Sequence, residues 1–274
     1  MTGRVLSALL LGFVAVYLLA PLVVVAGASF SGAETGGLII SYVEFPPKRL
    51  TLDWYRAITV GTYQAIGLSL VLAALAAVGG CVLGVPAALG LVRGRFPGRA
   101  LAEAAFRAPL QVPAVVVGIA FLQLSYVVGE ATGIELQGSF AGLAIAHVFL
   151  ATPFVTGATA AVLARFNPRL EEAALTLGAS RWSTFRRVTW PVILPGVASG
   201  AAYGFLVSFV DVPVSLFLSR PGLVPYPVEL FGAMQQEFSP AILASATLVI
   251  LLSAVLLLAV HRLAGLDALL KSQA

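Results

Sequence analysis

Few residues of this chain have the types and spacing that covalent or metal chemistry requires. Two histidines, His147 and His261, and a single cysteine, Cys81, stand far apart, inside or at the end of apolar stretches. One cysteine cannot form an internal disulfide, and the sequence contains no G-x-x-x-x-G-K-[ST] phosphate loop. We therefore predict no catalytic residue, no metal site and no cofactor bound by this chain.

The most informative polar segment is residues 167–191, which lies between two apolar runs and carries strong helix signals. Asn167 is a good N-cap, and Pro168 suits the first helical position, where no amide donor is needed. Glu171 and Glu172 then fall near the positive end of the helix dipole. A helix is therefore predicted to begin at this point.

The same segment predicts an amphipathic helix with a defined end. Its apolar face consists of four residues at the i, i+3, i+4 and i+7 spacing: Leu170, Ala173, Ala174 and Leu177. Gly178 stands where a left-handed C-terminal cap would end the helix. The pattern fits two interpretations: a lever that presents one face to a soluble partner, or a solvated loop that happens to be helical.

The composition excludes an ordinary soluble domain. Hydrophobic residues make up 59% of the 274 residues and charged residues only 10%, whereas soluble domains have about 25% charged residues. The mean hydropathy is +1.00. The net charge of +4 comes from a few basic residues in short clusters beside apolar runs, which does not favour nucleic-acid binding. We predict an all-α, polytopic integral membrane protein.

Hydropathy predicts six membrane spans, at residues 5–28, 64–91, 112–129, 140–164, 192–218 and 240–261. The first apolar run is longer than the ~7–15 residues of a signal-peptide core, so we interpret it as an uncleaved span. A short interfacial helix near Trp54 and another helix at 227–236 are also predicted. We divide the chain into a first span with its outer loop, a core of five spans and a tail: 1–61, 62–262 and 263–274.

Six spans place both termini on one side of the membrane, and the basic residues indicate which side. The side of the termini holds twelve: Arg4, Arg93, Arg95, Arg99, Arg107, Arg165, Arg169, Arg181, Arg186, Arg187, Arg262 and Lys271. The other side holds four: Lys48, Arg49, Arg56 and Arg220. Because positive charge accumulates in cytoplasmic loops, we predict cytoplasmic termini and a cytoplasmic segment 167–191.

The spans contain few polar features. Gly196, Gly200 and Gly204 recur at intervals of four in the fifth predicted span, which is typical of a helix packed closely against another. We expect His147 to hydrogen-bond a neighbouring helix rather than to relay protons, and His261 to end a helix at the membrane surface.

Residues 172–191 contain a spaced motif: Glu172-Ala173-Ala174, three residues, Gly178, nine residues and Val188-Thr189-Trp190-Pro191. This arrangement resembles the EAA loop of permease subunits of bacterial ABC importers that work with a substrate-binding protein. The pattern of that family is E-A-A-x3-G-x9-I-x-L-P. Val188 and Trp190 replace the usual Ile and Leu, and both replacements are apolar. The similarity extends over roughly residues 60–262.

The resemblance implies a type I ABC-importer permease with six spans in the bacterial inner membrane. In that family the motif helix docks in a cleft of a cytoplasmic ATPase and transmits its closure to the spans. We place this coupling role on Glu171, Glu172, Ala173, Ala174, Leu177 and Gly178. The implied partners are two copies of the ATPase, a second permease that is a distinct paralogue, and an extracytoplasmic binding protein. ATP and Mg would be bound by the ATPase, so this chain would not be the enzyme.

Three further stretches concern the substrate: Phe45-Pro46-Pro47-Lys48 before Trp54-Tyr55, Ala146-His147, and residues 208–217. They resemble the second permease of polyamine importers of the spermidine/putrescine type. Importers of ferric iron, sulfate, molybdate and phosphonates share the architecture, so these solutes stay open as alternatives.

Asp211 is the residue of the fifth predicted span that we connect with substrate. A carboxylate in a span is costly unless it faces water or a partner, and a cationic polyamine is one such partner. The alternative is that Asp211 lies at the outer end of the span, solvated or paired within the protein. Tyr203 and Phe209 either line the pathway and stack on an amine cation or simply pack.

A rival class is a secondary transporter driven by an ion gradient. It would need charged or interrupted spans near the midplane and ideally an inverted repeat, and we find neither in the sequence. A receptor or membrane-anchored scaffold gives no reason for a short capped helix between two spans.

Overall fold

The computed structural model describes residues 2–32, 44–236 and 239–263. These residues are mainly helical, and the β-structure among them is limited to isolated bridges. The α-helices in chain order are α1 Thr2–Ala28, α2 Asp53–Arg56, α3 Val60–Arg93, α4 Arg99–Arg107, α5 Ala114–Thr132, α6 Phe140–Arg165, α7 Arg169–Thr176, α8 Arg181–Thr184, α9 Trp190–Phe209, α10 Pro213–Leu218, α11 Tyr226–Gln236 and α12 Pro240–Leu263. The predicted all-α class is confirmed.

Five helical stretches of the described chain are long and apolar enough to cross a membrane: Val5–Ala28, Val60–Arg93, Ala114–Thr132, Phe140–Arg165 and Arg181–Phe209. The sixth predicted span corresponds to α12, whose apolar part Pro240–Leu256 is shorter. The predicted tail lies outside the described residues except for Leu263, and the side chains of His261 and Arg262 also lie outside them.

The chain forms two compact units, residues 1–66 with 229–256 and residues 67–228 with 257–274. In the first unit, the predicted interfacial helix is found as α2, and its aromatic residues hold the end of α1. The Trp54 indole donates to the carbonyl of Ser31 at 2.7 Å, and the hydroxyls of Tyr55 and Ser29 lie 2.7 Å apart. The apolar side chains of α1 are exposed, so lipid or another protein must cover them.

In the second unit, α6 lies between α3 and α9 and contacts both through glycines. A Cβ at Gly80 of α3 would lie 3.3 Å from the Ala151 Cβ, and one at Gly200 of α9 would lie 2.6 Å from the Val155 Cα. Small residues let helix backbones approach closely in lipid, where dispersion contacts drive packing. This explains why α6 is the most buried of the five candidate spans.

The fifth span differs from the prediction of one helix over residues 192–218. A continuous helical stretch begins earlier, at Arg181, and α9 ends at Phe209; α10 begins only at Pro213. Pro213 has no N–H to donate to the carbonyl of Phe209, so it does not continue α9 and instead takes the first position of α10. The span is therefore interrupted at residues 210–212, and Asp211 lies in the interruption.

Candidate functional site

The candidate site is α7, the short helix between α6 and the stretch that begins at Arg181. The Asn167 Oδ1 accepts a hydrogen bond from the backbone N–H of Arg169 at 3.1 Å, so the predicted capping role of Asn167 is confirmed. Pro168 has helical dihedral angles (φ −63°, ψ −19°), although the assigned helix begins one residue later.

α7 ends in the predicted left-handed cap. Gly178 has φ +85°, a region that residues with a side chain rarely adopt. Its N–H donates to the carbonyl of Leu175 at 3.0 Å, and the N–H of Ala179 donates to that of Ala174 at 3.1 Å. This pair of bonds is a Schellman motif, which satisfies carbonyls that a helix end would otherwise leave unpaired.

The apolar face of α7 points mainly away from the chain. Leu177 is 88% exposed and Leu170 52%, and Ala173 is also exposed. Glu172 is exposed beside them, while Ala174 is half-buried. Several uncovered aliphatic side chains on one face of a capped helix make this face suited to docking on a partner.

Glu171 lies on the other side of α7 and faces the protein. Its Oε1 is 2.8 Å from the Arg93 Nη1, and it accepts a hydrogen bond from the Thr189 hydroxyl. The sequence predicts a coupling role for Glu171, and the structure places its carboxylate against the end of α3 and against Thr189, just before α9. Nothing in the sequence indicates this contact, because the partners are 78 and 18 positions away.

The segment after α7 leads directly into α9. Ser180 caps α8 by accepting from the Ser183 N–H at 3.2 Å, and one π-helical stretch, Phe185–Thr189, joins α8 to α9. Phe185 contacts both Trp182 and Trp190, with ring centroids 5.8 and 6.1 Å apart. A displacement of α7 therefore reaches α9 through the short link 177–180 and then through continuous helix from Arg181 onward.

A second polar cluster joins α6 to both sides of the interruption at 210–212. The His147 Nδ1 lies 2.6 Å from the Ser208 Oγ, and its Nε2 lies 3.0 Å from the Ser215 Oγ. The Ser215 backbone N–H and hydroxyl both donate to the Asp211 Oδ2, at 2.8 and 2.9 Å. Hydrogen bonding of His147 to a neighbouring helix, which the sequence predicts, is confirmed.

The donors and acceptors of this cluster can be assigned by starting from the Asp211 carboxylate, which only accepts hydrogen bonds. A serine hydroxyl has a single proton, and that of Ser215 is donated to Asp211. The His147 Nε2 therefore donates to Ser215, and in the neutral imidazole the Nδ1 accepts from Ser208. Asp211, which is only 8% exposed, thus caps α10 and fixes the histidine tautomer.

The remaining predicted residues lie along α9. Phe209 is buried and stacks on Phe205 at a centroid distance of 6.0 Å, which is a packing role. Tyr203 is 62% exposed and stacks on Phe154 of α6 at 6.3 Å. The three predicted packing glycines face α6: Gly196, Gly200 and Gly204. In the described part of the chain, the ring contacts of Tyr203 and Phe209 are with Phe154 and Phe205, whereas the hydrogen bonds of Asp211 are with Ser215.

The sequence pattern of one protein family matches residues 80–266, which is well over half of the chain. The family is described as "Binding-protein-dependent transport system inner membrane component". The matched region includes α7 and the helices on both sides of it. The chain belongs to this family.

Two curated relatives of this permease are similar over most of its length. The putrescine transport system permease protein PotI of Escherichia coli (strain K12) is 32% identical over 245 residues, covering 88% of this chain and 84% of PotI. The spermidine/putrescine transport system permease protein PotC of the same strain is 29% identical over 261 residues, covering 94% of each chain.

A solved structure shares the fold. It is a crystal structure of a bacterial ABC transporter involved in the import of the acidic polysaccharide alginate, with a TM-score of 0.69 at 17% identity. The alignment covers 96% of this chain and 95% of the other. The permease is thus a multi-pass inner-membrane subunit of an ABC importer that works with a binding protein, as the E-A-A-x3-G spacing indicates. This excludes the alternative of a gradient-driven transporter.

Proposed function

We propose that this permease forms half of a solute pathway and is driven by a cytoplasmic ATPase that docks on residues 167–178. The observation that carries the proposal is the exposed aliphatic face of α7, fixed at both ends by caps and joined to α6 and α9. A rigid, capped helix transmits a push to the spans, whereas a flexible loop would absorb it. Glu172 is placed to pair with a basic group of the ATPase.

The proposal extends to the assembly. Two ATPase copies bind ATP and Mg and carry out hydrolysis, and this chain binds no cofactor. A distinct second permease supplies the other half of the pathway. Both termini lie in the cytoplasm, which is supported by the excess of basic residues on that side. We also retain the division into the segments 1–61, 62–262 and 263–274 as a proposal.

We propose polyamines as the substrate class. The names of PotI and PotC support this, because both relatives are described as transporting putrescine and PotC also spermidine. Asp211, a largely buried carboxylate at an interruption of a span, is the residue that we connect with a cationic substrate. The choice of solute is expected to rest largely with the binding protein.

The docking proposal is tested by co-expressing the permease with a candidate ATPase subunit of an ABC importer and purifying the complex through the permease. Leu177→Asp should reduce the recovered ATPase several-fold, because it places a charge in the apolar contact. Ile134→Asp is the matched control, since Ile134 is an exposed aliphatic residue after α5 and should leave recovery unchanged. Equal recovery of ATPase with Leu177→Asp and wild type would contradict docking on α7.

The substrate is tested by nucleotide-dependent uptake in proteoliposomes supplied with the binding protein. We expect putrescine or spermidine to be imported and sulfate to be excluded. Import of sulfate or another anion instead would overturn the polyamine proposal but leave the docking proposal intact.

A further inference from the structure

Glu171 is the residue whose position the coupling role of α7 does not explain. Its side chain is 18% exposed, whereas its neighbour Glu172 is exposed at the surface. A carboxylate in the first helical turn is already favoured by the helix dipole, and that role needs no further partner. Glu171 nevertheless has two side-chain partners, Arg93 and Thr189, from two different helical segments.

Arg93 is the last residue of α3, where the helix dipole favours a positive charge. Its guanidinium lies 2.8 Å from the Glu171 carboxylate and also sits over the Phe166 ring, 5.5 Å from the centroid. Phe166 is the residue at which α6 ends. One guanidinium therefore contacts both the residue that closes α6 and the first turn of α7.

Thr189 is the last residue of the π-helical stretch before α9 and is 1% exposed. Its hydroxyl donates to the same Glu171 oxygen that meets Arg93. The hydroxyl would otherwise be buried close to apolar residues, so the bond satisfies it. Glu171 thereby connects α7 to α3 on one side and to α9 on the other.

We propose that Glu171, Arg93 and Thr189 form a latch that makes α7 move as one body with the ends of α3 and α9. Glu171 is a positioning residue in this proposal and does not meet the ATPase. The inference rests on the proposed function of α7 as the docking helix. It adds the path by which a push on α7 reaches α3, a helix that is distant from α7 in sequence.

Chain continuity alone would give a different behaviour. It ties α7 to α6 and, through residues 177–180, to α8 and α9, but it links α7 to α3 only indirectly, through the packing of α3 on α6. An ion pair that is mostly shielded from water persists where an exposed pair would be screened. The exposed pair Glu103–Arg107 of α4, at 2.7 Å within one helix, is the natural comparison.

The test uses the reconstituted transporter with its ATPase and binding protein. Spin labels at Leu175→Cys of α7, an exposed residue outside the predicted coupling residues, and at Val82→Cys of α3, in a Cys81→Ala background, report the distance between the two helices. The ratio of ATP hydrolysed to solute imported is measured with the unlabelled variants. We expect one narrow distance distribution in the labelled parent and a broad one in Glu171→Gln and in Thr189→Val. The ATP hydrolysed per imported solute should rise several-fold in Glu171→Gln, because the docked position of α7 no longer governs α3.

Two further variants separate a latch from a general stabilising role. Glu171→Arg combined with Arg93→Glu restores opposite charges and should recover a narrower distribution and much of the coupling. Glu103→Gln removes the exposed pair and should leave both readouts at the parent values. If these contacts only stabilised the fold, Glu171→Gln would lower the yield of folded protein without changing the ratio of ATP hydrolysed to solute imported.

The outcomes distinguish this inference from the proposed function. If the parent transporter couples hydrolysis to uptake but Glu171→Gln keeps the narrow distribution and the parent ratio, the latch is wrong and docking on α7 stands. If the parent permease copurifies with no ATPase and shows no nucleotide-dependent uptake, the proposed function is wrong, and the latch proposal, which rests on it, is wrong as well.

Discussion

At the scale of single residues, one cluster of polar side chains in the spans forms a connected set of hydrogen bonds. The bonds from Ser208 through His147 and Ser215 to Asp211 cross from α9 to α6 and on to α10. They bridge the interruption at 210–212, where the backbone ladder of the helix is broken. Side-chain bonds thus replace part of the rigidity that the interrupted helix has lost.

We expect His147→Ala to destabilise the permease by about 1 to 3 kcal/mol, since it removes two interhelical hydrogen bonds worth ~0.6 to 1.7 kcal/mol each. Thermal unfolding of the purified subunit in detergent measures the effect. Ser199→Ala is the control, because the Ser199 hydroxyl bonds only to the carbonyl of Gly196 within its own helix. Equal unfolding temperatures for both variants would show that the network carries no stability.

Asp211→Asn separates the charge of Asp211 from its capping role. The amide oxygen can still accept from Ser215, so α10 should keep its cap and the subunit should assemble normally. If the carboxylate attracts a cationic solute, polyamine uptake should fall several-fold in proteoliposomes. Unchanged uptake with normal assembly would leave Asp211 with a structural role alone. Asp211→Ala would not serve, because it removes the cap together with the charge.

At the scale of elements, the sequence predicts what is encoded locally. The caps of α7 at Asn167 and Gly178, the apolar runs of the spans and the short helices near Trp54 and at 227–236 all follow from neighbouring residues, and each is found. Pro213 is a local signal for the interruption in the fifth span. The apolar run continues through it, so the prediction from hydropathy, a single helix over residues 192–218, misses the interruption.

Contacts between elements could not be predicted in the same way. The pairing of Glu171 with Arg93 and the approach of α3 glycines to α6 depend on how the helices pack, and residues far apart in sequence carry no local sign of it. The π-helical stretch at Phe185–Thr189 is likewise invisible to a pattern of period 3.6. The sequence therefore predicts that the coupling residues lie together on one helix. It does not show that Glu171 faces the protein while Glu172 and Leu177 are exposed.

Gly178→Val tests the element as a lever. A β-branched residue at φ +85° costs about 1 to 3 kcal/mol, and the helix end should reorient to avoid this strain. We expect solute-stimulated ATP hydrolysis to be lost while membrane insertion is retained. No neighbouring atom lies within 4 Å of a Cβ at this position, so a steric clash would not explain the loss.

The matched control is Gly133→Val. Gly133 caps α5 with φ +75° and also has open space around its Cβ position, so the backbone strain is the same but lies far from α7 in sequence. Coupled hydrolysis should persist in this variant. Normal coupling in Gly178→Val, or equal loss in both variants, would contradict a specific role for the end of α7.

At the scale of the whole molecule, charge decides how the chain sits in the membrane. The apolar helices alone allow either orientation, because a span is equally hydrophobic from both ends. The asymmetry comes from the short polar segments, and the segment that carries α7 is among the richest in arginine. Orientation and coupling are thus linked: α7 can meet a cytoplasmic ATPase only if the arginine-rich side faces inward.

We therefore expect a cysteine on α7 to react only from the cytoplasm. In a Cys81→Ala background, Leu177→Cys replaces a residue that is 88% exposed, and Ile134→Cys one that is 58% exposed in the predicted outer loop. A membrane-impermeant maleimide should label Leu177→Cys in inside-out vesicles and Ile134→Cys in intact spheroplasts, and each far less in the opposite preparation. The reverse pattern would place α7 outside the cell, where no ATP is available, and would overturn both the orientation and the docking of an ATPase on this helix.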